Sequence, residues 1–144
     1  MKYTCLILLW SLFATMALPA DNLIQSISIV PCPESITPGT GYFTFSGKTD
    51  FTVENEEQAE VARLSLARCF SALFTQAAGF TPCVKVGEKK GKISFLTDDA
   101  LKSEAYHLEI TPRQIIVKAS DTKGFFYALQ TIRQLLPASI EGTA

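Results

Sequence analysis

Side chains able to do chemistry are scarce in this sequence. It holds one histidine, His107, which shares a strand face with Glu109 two residues on. Two such groups begin a metal site, but zinc takes at least three protein ligands, and the His-Glu-x-x-His pattern of a zinc helix is absent. The reading is therefore a polar position on the outer face of a sheet, with no metal and no cofactor. A serine or cysteine nucleophile needs a base, and His107 is the sole candidate. No Gly-x-Ser-x-Gly elbow and no phosphate-cradling glycine loop accompanies it. Acids are paired at Asp98-Asp99 and Glu56-Glu57. The second pair, with Glu60, stands at a helix start, where the dipole favours carboxylates, and both pairs read as solvated. Lys85, Lys89, Lys90 and Lys92 are interrupted by Gly87 and Gly91, as in a solvated turn.

The chain has 144 residues, room for one domain but not for a (β/α)8 barrel of about 250. Lys2, the apolar run Cys5 to Phe13, and the small residues Ala14, Ala17 and Ala20 read as a signal peptide over 1–20. Cleavage is expected after Ala17 or Ala20, sending the protein out of the cytoplasm. The alternative is a membrane anchor, but the run falls short of the roughly 20 apolar residues a span needs. Losing Lys2 leaves 12 basic and 14 acidic residues, without the basic surplus of a nucleic-acid partner. Three cysteines remain, Cys32, Cys69 and Cys83. They allow at most one internal disulfide, in any of the three pairings, or else are small buried thiols.

The elements follow from periodicity. Ser26–Val30, Tyr42–Ser46 and Phe51–Val53 read as strands. Asn55, with Gln58 three residues on, caps a helix running to about Ala78, where Gly79 stops it. Its stripe is Ala59, Ala62, Leu66, Cys69, Phe70, Leu73, Phe74 and Ala77, while Val61 and Leu64 lie off it beside Arg68, free for a second contact. Cys83–Val86 and Lys92–Leu96 read as a hairpin around Gly87 and Gly91. Tyr106–Ile110 and Ile115–Ala119 make another, turned at Pro112. Any of Ser120, Asp121 or Thr122 can then cap a last helix ended by Pro137. Its stripe, Phe125, Ala128, Leu129, Ile132, Leu135 and Leu136, belongs on the sheet. The expected fold is α+β, a two-layer sandwich: a mostly antiparallel mixed sheet with two helices on one face.

At 100° per residue the last helix turns Phe126, Tyr127, Gln130, Arg133 and Gln134 away from that stripe. Paired aromatics beside Gln and Arg, with no Lys or Glu between Gly124 and Pro137, are the composition of an interface. These five residues are the predicted docking face.

Glu104-Ala105-Tyr106, the alternating hairpin, and Gly124-Phe125-Phe126-Tyr127-Ala128-Leu129-Gln130-Thr131-Ile132-Arg133-Gln134-Leu135 carry a resemblance. They closely resemble the N-terminal, zincin-like domain of family 20 glycoside hydrolases, the β-N-acetylhexosaminidases. Ile29-Val30-Pro31-Cys32-Pro33 and Gly41-Tyr42-Phe43 extend it more weakly upstream. Where that family usually has a second glycine stands Ala128, a better helix former. The resemblance implies a parent that releases terminal N-acetylhexosamine. There an adjacent Asp-Glu pair on a barrel works with the substrate's own acetamido group. This chain has no Asp-Glu dipeptide, and its only tryptophan, Trp10, lies in the signal peptide, so no glycan cleft is indicated. The chain thus reads as signal peptide 1–20, accessory domain 21–138 and the start of a connection, 139–144, to a catalytic (β/α)8 barrel as its partner. It would supply no catalytic residue itself. A free-standing secreted binding module, or the leading domain of another glycosidase family, are the rival readings.

Overall fold

The structure, a computed structural model, describes residues 27–70, 75, 79–87 and 91–137. In chain order come β1 (Asp50–Val53), α1 (Glu56–Ser65) with a π-helical turn at Leu66–Phe70, β2 (Cys83–Val86), β3 (Ile93–Thr97), β4 (Tyr106–Ile110), β5 (Ile115–Ala119) and α2 (Thr122–Gln134). The strands form one sheet in the order β2-β1-β3-β5-β4. Both helices pack on one face of it and on each other, so the α+β sandwich expected from the sequence is the fold.

The balance of the sheet differs from the expectation of a mostly antiparallel one. β1 runs parallel to β2 and β3, and β3 runs parallel to β5; only the β4–β5 hairpin is antiparallel. The reason lies in the connections. Between β1 and β2 the chain runs through α1, and such a crossover returns it to the starting end, so the next strand is parallel. Cys83–Val86 and Lys92–Leu96 are likewise not a hairpin, because β1 lies between them. Gly91 rests against the side chain of Thr52, where an added Cβ would sit 2.4 Å from Thr52 Cγ2. A glycine that reads as turn punctuation is there to pass close over a strand.

Register decides which side chains face the helices. Phe51 stands beside Val84 and Ile93, Ile93 beside Ile115, Phe95 beside Val117, and Leu108 beside Val117. Phe95 is the hub of the resulting core. Its ring stacks on Phe125 of α2 at 5.2 Å and meets Phe51 edge-on at 6.1 Å, all three rings being buried. Aromatic pairs at such separations add about 0.5–1.5 kcal/mol beyond the area they bury. α1 contributes Ala59 and Ala62, both fully buried, and these small side chains let its backbone come close to its neighbours.

Helix ends follow the sequence. Asn55 caps α1, its Oδ1 accepting from Gln58 N at 2.9 Å. Gln58 Oε1 reaches back to Glu54 N at 2.8 Å, one residue earlier than a capping box would have it. Of the three candidates for α2, Asp121 is the cap. At the other end of α2 the stripe fails by one residue: Leu135 is 39% exposed. Leu135 N bonds to both Thr131 O and Ile132 O, and Leu136 N to Arg133 O. The last turn therefore tightens towards three residues per turn and rotates Leu135 out while Leu136 packs on the core.

Residues 27–30 and 42–46, expected as strands, join no ladder, and Ser26 lies outside the described residues. Phe43 and Phe45 still pack on the core, edge to face at 5.0 Å. Their alternation records a half-buried face without a strand partner. The end of the first helix, from 71 on, also falls largely outside the described residues.

Candidate functional site

The N-terminus of α2 is held by a tight set of bonds. Asp121 Oδ1 accepts from Gly124 N at 2.8 Å, and its Oδ2 accepts from Ser103 Oγ at 2.6 Å and Glu104 N at 3.0 Å. The Ser103 hydroxyl first, then the Gly124 amide, hold the Asp121 carboxyl below the usual carboxylate range. Glu104 needs this support, since its φ is +69°, a region that side chains other than glycine seldom occupy. Lys123 Nζ donates to Glu104 Oε1 at 2.7 Å, which raises the lysine's pKa. Gly124 lets the first turn of α2 settle onto the hairpin: a Cβ there would lie 2.5 Å from Ala105 O and 2.8 Å from Ala119 Cβ.

Anchored this way, α2 presents Phe126 and Tyr127 outward, 42% and 43% exposed, their rings 5.7 Å apart. α1 faces them with Val61 and Leu64, the two apolar residues that fell off its stripe. Between the helices lies a groove of about 290 Å³. Val61, Leu64, Ser65 and Arg68 line one wall; Thr122, Lys123, Phe126 and Tyr127 line the other. Ser65 is the residue sequence reading missed. It is buried, and its Oγ has no hydrogen-bond partner. A serine inside a helix carries no sequence signal of an unanswered hydroxyl; only the packing reveals it.

The five predicted docking residues do not all fall together. Phe126 and Tyr127 line the groove, Gln130 is half-buried, and Arg133 is exposed. Gln134 is engaged elsewhere. Its Oε1 accepts from Val30 N at 2.8 Å and its Nε2 donates to Val30 O at 2.9 Å, clasping the N-terminal segment.

The candidate chemical groups lie apart from one another. His107 stands opposite Lys118, and Glu109 opposite Ile116, on the outer face of β4. Asp98 accepts from Ala100 N in a turn, and Glu56 pairs with Arg63 on the surface of α1. Among the described residues no three His, Cys, Asp or Glu side chains converge. Cys32 and Cys83 are free and exposed, which corrects both the disulfide between them and their reading as buried thiols; the Cys69 side chain lies outside the described residues.

A sheet backed by two helices, with exposed apolar side chains gathered between those helices, defines an α+β domain with an apolar groove on its helical side. Residues 26–143 match Glycosyl hydrolase family 20, domain 2, and the chain belongs to that family. A β-hexosaminidase of Porphyromonas gingivalis is 31% identical over 123 residues, which cover 83% of this chain and 15% of that protein. The β-N-acetylhexosaminidase structure from Bacteroides fragilis superposes with a TM-score of 0.58 at 29% identity, over 74% of this chain and 20% of that one. The N-acetyl-β-hexosaminidase of Streptomyces plicatus gives 0.66 at 26%, over 78% of this chain and 22% of that one. The chain thus spans a fifth or so of the length of these relatives.

Proposed function

We propose that this chain is the non-catalytic leading domain of an exported β-N-acetylhexosaminidase, supporting a catalytic barrel of the same polypeptide. The parent would remove terminal N-acetylhexosamine from glycans. One observation carries the reading: the chain matches domain 2 of the family over 26–143 yet spans only 15% of its β-hexosaminidase relative. The apolar groove supports it, because a domain whose only task was to stay dissolved would place charged groups there. Phe126 and Tyr127 form the docking face, with Arg133 and Gln130 beside them. Gln134 fixes the N-terminal segment behind them.

Two measurements test this. The purified chain hydrolyses no aryl N-acetylglucosaminide above background, because it lacks the Asp-Glu pair. Turnover that co-purifies with it and vanishes on mutating one of its own carboxylates would refute the reading. Expressed in an exporting host, the protein starts at Leu18 or Asp21; recovery of an intact Met1 would refute export.

A further inference from the structure

We infer that the α1–α2 groove receives a side chain of the catalytic domain that is apolar along its length, hydrogen-bonding at its tip and flanked by a carboxylate. The inference rests on the accessory-domain reading above. It adds α1 as the second half of the interface.

Three observations define the occupant. Leu64 is 49% exposed and faces the exposed Phe126 and Tyr127 across the groove. Large apolar side chains exposed singly are ordinary, but three gathered around one concavity are the mark of a covered surface. Its volume of about 290 Å³ falls at the foot of the roughly 300–1,000 Å³ range of small-molecule pockets, so it suits an inserted side chain better than a free ligand.

The tip of the occupant is specified by Ser65. Its hydroxyl is buried and unpaired, although a helical serine ordinarily back-bonds to the carbonyl of residue i−4. Alanine would fill the same space, form helix better and leave nothing unsatisfied. The hydroxyl has a use only if a donor or acceptor reaches it through the groove.

Charge at the rim specifies the flank. Two cations stand there, Arg68 and Lys123. Lys123 is already paired with Glu104, whereas Arg68 makes no ion pair among the described residues. A carboxylate on the partner answers it, and Arg is the cation that interfaces favour for such pairs. The catalytic domain is the occupant with the best claim, since it would be held on the same chain at high effective concentration.

The test compares this chain with the product of its gene's complete reading frame, each followed by thermal unfolding and hydrogen exchange. Ser65→Ala is expected to raise the unfolding midpoint of the chain alone, by removing an unpaired group. In the longer product it lowers the midpoint of this domain's transition, because the partner loses its bond. Arg68→Glu, on the surface and without risk to folding, leaves the chain alone unchanged. In the longer product it speeds exchange of peptides 61–68 and 122–127 at least tenfold. Shifts of the same sign in both proteins for Ser65→Ala, together with unchanged exchange for Arg68→Glu, overturn the groove while leaving the accessory-domain reading intact. A reading frame that encodes no catalytic barrel overturns both.

Discussion

Replacing Gly124 with alanine sets two effects against each other, and the structure says which wins. Alanine in a helix is favoured over glycine by about 1 kcal/mol, so propensity alone predicts a more stable α2. The new Cβ, however, would lie 2.5 Å from Ala105 O and 2.8 Å from Ala119 Cβ. One neighbour is backbone just ahead of β4 and the other is a fully buried residue of β5, so neither can swing aside. Overpacking of this kind costs about 1–3 kcal/mol, and two rigid neighbours place it at the upper end. The net loss is then about 2 kcal/mol. For a domain near 100 residues, 1 kcal/mol moves the midpoint about 4–8 °C, so melting should fall by about 10 °C. Circular dichroism of the purified chain reads this directly. Adding Ala119→Gly removes one of the two clashes, and the pair should be less damaging than the sum of the singles. A midpoint that stays or rises in Gly124→Ala would show that α2 does not sit this close to the hairpin, and the anchoring described for Phe126 would fall with it.

Asp121→Asn tests the cap by pH. The carboxyl's folded pKa lies below the ordinary 3.8, so its contribution is present above that value and lost as pH falls below it. Asparagine still caps but does not titrate. Urea midpoints should therefore fall less between pH 5 and about pH 2 in the variant than in the parent, and equal falls would refute the assignment. Gln134→Ala removes two exposed hydrogen bonds, together worth about 1 kcal/mol. Limited proteolysis near Val30 should accelerate about fivefold, and an unchanged rate would show that the segment is held by other contacts.

Local signals were legible where a residue's own neighbours in sequence decide its place. Asn55 and Asp121 cap helices, the β4–β5 hairpin turns at its proline, and the Phe125 stripe faces the sheet for reasons that operate within a few residues. Partners chosen across the chain were not. Gly91 looks the same whether it turns a hairpin or slips past Thr52, and only the insertion of β1 between β2 and β3 tells the two apart. The strand-like alternation around Ile27, Ile29, Phe43 and Phe45 reports burial on one side, which a chain can satisfy without ladder bonds. The outward turn of Phe126 and Tyr127 was readable on α2 by elimination from its stripe. On α1 the off-stripe Val61 and Leu64 hinted at the second wall, but Ser65 is indistinguishable in sequence from any polar helix residue.

The place of β1 between β2 and β3 has a consequence for how this domain comes into being. Among the described residues β1 is the first strand made, yet both strands that pair with it follow α1 in the chain. Until β3 is complete, Phe51 has no Phe95 to meet, and until α2 is complete, Phe95 has no Phe125. Pairings of this kind close long loops before any contact offsets their entropy, so they form late. During synthesis, then, α1 travels with its apolar side uncovered while roughly half the domain is still to come. An early arrest of translation or a truncation before Thr122 releases a species with an open sheet and a bare helix, one suited to aggregation and to capture by chaperones. Of the described elements, α2 is the one that ends this exposure, and Asp121, by starting it, sets the point at which the core can close.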